Sequence, residues 1–92
     1  MKIVWLADAV AEIAEIVADL ETVNKVAAAA IDVRICSAVS HLATFPEAGR
    51  IGRVPGTREL VVVEYPYIVV YRILAAEVQI LAVRHTSRQW PT

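Results

Sequence analysis

The chain has 92 residues, of which 58% are hydrophobic and 21% charged, and its formal net charge is −1. This length allows one domain, residues 1–92, near the low end of what builds a self-sufficient core. A single cysteine excludes a disulfide framework and a thiolate metal cluster, and the apolar runs are too short to span a bilayer. We therefore expect a protein of a reducing cytoplasm, without metal or cofactor, whose excess of apolar surface is covered by a protein partner.

The first half of the chain predicts a short strand followed by two helices. Residues 2–5, with the sequence KIVW, are typical of a strand. Asn24 can cap a second helix, and Pro46 ends it because proline disfavours helical backbone in the residue before it. Apolar residues recur at helical spacing in both segments: Ala9, Ile13, Ile16 and Leu20, then Ile31, Ile35, Ala38, Leu42 and Phe45. These two stripes predict an antiparallel helical hairpin.

The second half of the chain changes to strand-like sequence. Residues 47–57 contain three glycines and a proline, and predict an irregular loop. The link at 64–66 is a plausible turn, whereas the sequence LAAE at 74–77 is a poor one by residue type. β-branched and aromatic residues predict three strands, at 58–63, 67–73 and 78–84. The order β-α-α-β-β-β predicts an α+β fold in which the helical hairpin packs on a small sheet.

Charge is distributed unevenly along the chain. Residues 1–48 carry a net charge of −4, from three cations and seven anions, whereas residues 49–92 carry +3, from six cations and three anions. Every cation of the second half is an arginine, the residue suited to bidentate pairing with carboxylate or phosphate. This asymmetry predicts an anionic partner for the second half.

Three of these arginines lie in a segment that also contains the glycines. Arg50, Arg53 and Arg58 are close in sequence, and the glycines at 49, 52 and 56 let the backbone approach a ligand. Arginine forks match the geometry of phosphate, but no GKS or GKT follows the glycines. A solvated loop whose arginines stack on nearby aromatic residues explains the same residues, so the sequence leaves both interpretations open.

The C-terminal sequence VRHTSRQWP, at 83–91, offers candidate catalytic groups. His85 could act as a general base because its unperturbed pKa lies near neutrality. Arg84 and Arg88 could stabilise developing negative charge. Alternatively, His85 bonds a backbone group at a strand end, while Arg88 and Trp90 attach the tail to the sheet.

Two features of the helices have structural interpretations. The acidic residues of the first helix are expected to form a solvated face; they are Asp8, Glu12, Glu15 and Asp19. Cys36 lies inside the second helix beside the apolar stripe, so we expect it to be a small core or interface residue.

The order of these motifs resembles the RelE/ParE superfamily of bacterial type II toxins, and its ParE-like, plasmid-stabilisation branch in particular. The resemblance covers essentially the whole chain. It rests on a leading strand that ends in Trp5, on the helical hairpin, and on four sequences: LATFPEAGRIGR (42–53), VPGTRELVV (54–62), YPYIVVYR (65–72) and VRHTSRQWP (83–91).

The resemblance implies a curved antiparallel sheet packed against the hairpin, and a cognate antitoxin encoded beside the toxin. The antitoxin would form a hetero-oligomer with the chain by laying an amphipathic segment in an apolar groove or by adding a strand, and its acidic residues would pair with the arginines. The expected antitoxin- or target-binding residues are Arg50, Arg53, Arg58, Arg72, Arg84, Arg88 and Trp90.

The resemblance leaves the cellular target open. ParE-like members inhibit DNA gyrase by binding it, without covalent chemistry, and we expect this chain to follow them. RelE-like members cut mRNA on the ribosome without a metal; Arg58, Arg84, His85 and Arg88 are the candidates for that role here. The basic residue that RelE-like members commonly carry before the LVY of the third strand is replaced by Ile68, and no tyrosine follows Tyr71. A relic that binds antitoxin without toxicity is a third possibility.

Overall fold

We describe residues 1–87 of the computed structural model of this protein. Seven elements follow one another along the chain: β1 (Lys2–Trp5), α1 (Ala7–Glu21), α2 (Lys25–His41), β2 (Arg50–Ile51), β3 (Arg58–Val61), β4 (Tyr67–Leu74) and β5 (Glu77–His85). The strands form one sheet in the order β1-β5-β4-β3-β2. The α+β class and the β-α-α-β-β-β order are therefore confirmed, with a two-residue strand, β2, added inside the segment expected to be irregular.

The sheet is mixed, whereas the resemblance implied an antiparallel one. β2, β3, β4 and β5 are joined by antiparallel pairings, but β1 runs parallel to β5, with Lys2 opposite Glu77 and Trp5 opposite Ile80. Parallel neighbours need a long crossover connection, and here the helical hairpin and three strands lie between the two. Neither helix within residues 1–87 is long and apolar enough to cross a bilayer.

α2 begins where the sequence predicted and ends earlier. The side chain of Asn24 accepts hydrogen bonds from the backbone N–H groups of Val26 and Ala27, at 3.0 and 3.1 Å, and so caps the helix. The helix ends at His41, and Phe45, the last residue of the predicted stripe, is 54% exposed. The chain leaves helical geometry in the turns at 42–44, and Pro46 prevents the helix from resuming, because the residue before a proline is disfavoured in helical conformation.

The core lies between the helical hairpin and one face of the sheet. Because strand side chains alternate between faces, Tyr67, Val69 and Tyr71 of β4 point toward the helices. Ile68 and Val70 belong to a smaller buried cluster on the opposite, outer face. Cys36 is exposed, so it is not a core residue, and its role as an interface residue stays a prediction; α2 buries Ile31, Ile35 and Val39 instead.

The link at 74–77, whose residue types are unfavourable for a turn, is a tight hairpin loop. Leu74 pairs with Glu77, which leaves two residues to connect β4 and β5. Ala75 takes a φ of +55°, in the left-handed region that usually favours glycine. The sequence signal was weak because alanine occupies this position at a cost of about 1–2 kcal/mol.

Candidate partner-binding surface

An open groove of about 870 Å³ crosses the outer face of the sheet. Leu81 and Ala82 of β5 contribute to its apolar lining, one side is the beginning of α1, and the other is the loop 54–57 between β2 and β3. Its charged lining residues are Asp8, Glu12, Arg72 and Arg84. The groove thus combines apolar residues of the strands with two of the arginines predicted to bind a partner, and that binding role stays a prediction.

Arg84, one of the predicted binding residues, is paired inside the protein. Its Nε lies 2.7 Å from Oε2 of Glu12, and Oε1 of the same carboxylate accepts the backbone N–H of Val83 at 3.1 Å. β1 pairs with β5 only as far as Ile80. Beyond that residue, the side chain of Glu12 on α1 bonds the edge of β5 at Val83. The prediction of a purely solvated acidic face is therefore wrong for Glu12.

Arg72 lies on the outer face and is exposed. Its Nε donates to Oε1 of Gln79, the residue directly opposite on β5, at 2.6 Å. The bond fixes the stem of the side chain. The two terminal nitrogens of Arg72 make no hydrogen bond to residues 1–87.

A buried carboxylate organises the arginine-rich segment. Glu59 of β3 is 3% exposed, and its Oε1 accepts from Nη2 and Nε of Arg50 at 3.0 and 3.4 Å. Its Oε2 accepts the backbone N–H of Arg53 at 3.3 Å. Arg50 is therefore in an ion pair, whereas the exposed guanidinium of Arg53 makes no hydrogen bond or ion pair to the part of the chain described.

Arg58 and Tyr71 hold the segment that leads from α2 into β2. Nη1 of Arg58 donates to the carbonyl of Gly49 at 2.8 Å. The Tyr71 hydroxyl donates to the carbonyl of Pro46 at 2.7 Å and accepts the N–H of Gly49 at 2.9 Å. Burial raises the pKa of the Tyr71 phenol above its ordinary value, although the Gly49 bond and the Arg58 charge act in the opposite direction.

The glycines of this segment face the protein's own atoms. A Cβ at Gly49 would lie 2.8 Å from the ring and hydroxyl of Tyr71, and a Cβ at Gly52 would collide with the Thr57 side chain. Gly56 has a φ of +83°. Close internal packing accounts for Gly49 and Gly52, and a left-handed turn for Gly56, so these glycines need no ligand to explain them.

The three candidate nuclease residues within residues 1–87, which are Arg58, Arg84 and His85, do not converge. Arg58 is opposite Tyr71 of β4, on the helix-covered face, whereas Arg84 is opposite Ile68, on the outer face. His85 is opposite Tyr67, so it shares the face of Arg58. Four residues of β4, about 13 Å, separate the positions of Arg58 and His85 along the strand.

His85 has structural partners. Its Nδ1 accepts the backbone N–H of Ser87 at 3.1 Å and lies 2.8 Å from the Ser87 hydroxyl, and its ring meets Tyr67 edge-on at 5.5 Å. The bond from the Ser87 N–H agrees with the structural interpretation of His85 in the sequence, in which it bonds a backbone group at a strand end. Arg88 and Trp90, also predicted as binding residues, lie outside the described residues.

Three residues that organise these contacts were not predicted from the sequence. They are Glu12 and Glu59, whose carboxylates pair with arginines, and Tyr71, whose hydroxyl bonds the segment before β2. Glu59 directly follows Arg58 and is the one acidic residue in the arginine-rich sequence 48–63, which was a usable signal. Glu12 carried a weaker one, because its partners Val83 and Arg84 lie at the other end of the chain.

Comparisons with known proteins agree with this architecture. A model of the ParE toxin family of type II toxin–antitoxin systems, parDE, matches residues 3–90. The chain is 44% identical over 90 residues to Y4kP of Sinorhizobium fredii, a candidate toxin, covering 98% of this chain and 93% of that protein. It is 33% identical over 87 residues to Toxin RelE2 of Caulobacter vibrioides, covering 95% and 97%.

A solved structure of a chromosomal ParDE toxin–antitoxin system from P. aeruginosa has a similar fold. The two chains superpose with a TM-score of 0.82 at 26% sequence identity, over 92% of this chain and 95% of the other. The family model and the relatives each cover nearly all of this chain. The chain therefore belongs to the ParE toxin family of type II toxin–antitoxin systems, within the RelE/ParE superfamily.

Proposed function

We propose that this toxin acts in the bacterial cytoplasm by binding and inhibiting DNA gyrase, without covalent chemistry of its own, and that a cognate antitoxin neutralises it. The observation that carries the proposal is the placement of Arg58 and Arg84 on opposite faces of the sheet. Metal-free cleavage of RNA requires several groups that converge on one phosphate and its neighbouring hydroxyl.

The bonding of the same residues also supports inhibition by binding. Arg58 donates to a backbone carbonyl, Arg84 faces the Glu12 carboxylate, and Nδ1 of His85 is bonded to Ser87. Cleavage would require these groups to leave their partners and to rearrange across the sheet. Inhibition by binding requires only a preformed surface, and membership of the ParE family favours gyrase as the protein bound.

The groove on the outer face suits an antitoxin segment. Its apolar lining can take the hydrophobic side of an amphipathic peptide, and the free end of the Arg72 guanidinium can bind a carboxylate. A segment that folds only when it binds can cover such an open surface despite the cost of ordering it.

Two assays on the purified toxin test the target. We expect it to inhibit supercoiling of relaxed plasmid by gyrase, to lose that inhibition when its antitoxin is added, and to leave mRNA intact on translating ribosomes. Cleavage of ribosome-bound mRNA with normal supercoiling would contradict the proposal in favour of a nuclease. No effect in either assay, and none on growth, would identify a relic without toxicity.

A His85→Gln variant gives a matched test inside cells. Glutamine retains an amide that can bond near Ser87 but cannot act as a general base at neutral pH. We expect growth arrest to be retained at an inducer level within about threefold of wild type. A nuclease that used His85 would instead lose on the order of two powers of ten or more in rate, and growth would recover.

A further inference from the structure

A second pocket, of about 410 Å³, lies between α1 and the end of β5. It shares Glu12 and Arg84 with the groove on the outer face, so the ion pair of these two side chains stands between the two spaces. The apolar lining of the pocket consists of Ile16, Leu20 and Val83, which belong to the core or pack against it. The rest of its lining is polar, and three of those residues are acidic.

The acidic residues, Glu12, Glu15 and Asp19, lie on one face of α1, because residues three and four apart are neighbours on a helix. Arg84 neutralises Glu12 at 2.7 Å. Glu15 and Asp19 are exposed, and neither carboxylate makes an ion pair or a hydrogen bond with residues 1–87. Three anions against one cation give the described lining a net charge of −2.

A buried hydroxyl group lies in the same pocket. Tyr67 is 8% exposed and lines the pocket, and its hydroxyl makes no hydrogen bond to residues 1–87. Its ring meets that of His85 edge-on at 5.5 Å, and Nδ1 of this histidine already accepts the N–H of Ser87. A buried tyrosine hydroxyl usually has a bonding partner. The phenol therefore indicates a ligand with a hydrogen-bond donor, which a solvated acidic face alone would not.

The geometry favours an elongated cation over a metal ion. Within residues 1–87, no three histidine, cysteine, aspartate or glutamate side chains are grouped as metal ligands. Glu15 and Asp19 are four residues apart on the helix, which is about 6 Å along its axis. Two separated carboxylates fit a ligand with two separated positive charges, and the apolar lining fits a methylene chain between those charges.

We propose that this pocket binds a linear alkyl diamine or polyamine in its ammonium form. The ammonium groups pair with Glu15 and Asp19, and the Tyr67 hydroxyl accepts a hydrogen bond from one of them. The methylene chain lies against Ile16 and Leu20. Such a ligand stabilises the folded toxin because it binds the native state and not the unfolded chain. The site depends on neither the antitoxin nor the target of the toxin.

Titration of the purified toxin with putrescine, followed by NMR at neutral pH and constant ionic strength, tests the proposal. We expect saturable shifts of the Val83, His85 and Ser87 amides. Shifts that do not saturate by about 10 mM putrescine would overturn the site, because millimolar affinity already corresponds to weak binding. Butylamine, which carries one ammonium, should bind at least about threefold more weakly, and equal affinity of the two amines would also overturn it.

Two double variants with the same net charge locate the binding. Glu15→Gln combined with Asp19→Asn should weaken putrescine binding by about tenfold, since both charge-assisted bonds are lost. Asp8→Asn combined with Glu21→Gln removes two acids of α1 that do not line the pocket, and binding should stay within about threefold of wild type. Equal losses in the two double variants would assign the attraction to the overall charge of the helix and overturn the proposal.

Two single variants complete the test. Tyr67→Phe keeps the ring and removes the hydroxyl, and it should weaken putrescine binding by about fivefold, the effect of one neutral hydrogen bond. Unchanged affinity in this variant would overturn the assigned role of the phenol. Arg88 lies outside the described residues. Binding at least about tenfold tighter in Arg88→Ala would identify that arginine as the occupant of the pocket and overturn the proposal.

Discussion

The two ends of β3 differ in what they bond. At its beginning, Arg58 and Glu59 hold the segment 46–53 through side-chain bonds to carbonyls, to a backbone N–H and to Arg50. At its end, Val61 and, two residues past the strand, Val63 are exposed at the edge away from β4, where Arg34 donates to the carbonyl of Val63. One short strand therefore joins a region in which Arg50, Arg58 and Glu59 are bonded within the protein to a region that is open and apolar.

This difference shows which groups are available to a partner. The arginine-rich segment looked like a ligand-binding loop in the sequence, yet Arg50 and Arg58 are engaged in holding the fold. Within residues 1–87, the groups around β3 without a bonding partner include the guanidinium of Arg53, the terminal nitrogens of Arg72 and the outward N–H and C=O of Val61, and the side chains of Val61 and Val63 are exposed. The following predictions test the contrast through stability, which should be sensitive at the first end and insensitive at the second.

The largest effect is expected for Gly49→Ala. The added Cβ would lie 2.8 Å from the Tyr71 ring and 3.0 Å from the carbonyl of Glu59, so buried groups must move. We expect the free energy of unfolding to fall by about 3 kcal/mol, near the upper end for an overpacked site, measured by urea denaturation. Gly56→Asn is the matched control, because that site is open and asparagine tolerates its positive φ. Equal losses in both variants would contradict the packing argument.

A smaller loss is expected for Tyr71→Phe. The change leaves the Pro46 carbonyl and the Gly49 N–H without their partner, which should cost about 2 kcal/mol. Tyr65→Phe is the control, since the Tyr65 hydroxyl makes no hydrogen bond to residues 1–87, and it should change stability by less than about 0.5 kcal/mol.

The Tyr71 phenol also gives a pH signature in the wild-type protein. Its pKa is raised in the folded state, so this phenol holds its proton at pH values where the unfolded chain has lost it. Stability should therefore fall as pH rises above about 10, the ordinary tyrosine pKa. The decline should be shallower in Tyr71→Phe. A decline of the same slope in both proteins would assign it to other groups.

The smallest effect on stability is expected for Val63→Thr, two residues after the end of β3. The side chain is exposed, and threonine keeps the β-branched shape, so the free energy of unfolding should change by less than about 0.5 kcal/mol. A loss comparable to that of Tyr71→Phe would mean that the open end is packed, and the contrast between the two ends would not hold.

Local patterns in the sequence predicted most of the fold. The Asn24 cap, the helical stripes and the alternation in β4 each depend on neighbours a few residues apart. The sequence placed the end of α2 too far along the chain, because Phe45 continues the apolar spacing although the helix ends at His41. Two features depend on contacts between opposite ends of the chain. They are the parallel pairing of β1 with β5 and the ion pair of Glu12 with Arg84. Spacing along a sequence does not encode such contacts.

The sequence predicted which residue types form the candidate site better than it predicted their bonds. It showed arginines beside apolar strands, and residues of both kinds line the groove. Which arginines are free depends on the register that places Glu59 beside Arg50 and Gln79 beside Arg72. The opposite orientations of Arg58 and Arg84 follow from strand pairing, which fixes the face of every side chain.

The parallel pairing of the first strand with the last has a consequence for synthesis. Lys2 cannot meet Glu77 until the residues of β5 have left the ribosome, so the sheet stays incomplete up to that point of translation. Because β5 lies between β1 and β4, we expect a nascent chain to complete its fold only after that strand emerges. Antitoxin already present in the cell then has the opportunity to bind as soon as the finished chain folds.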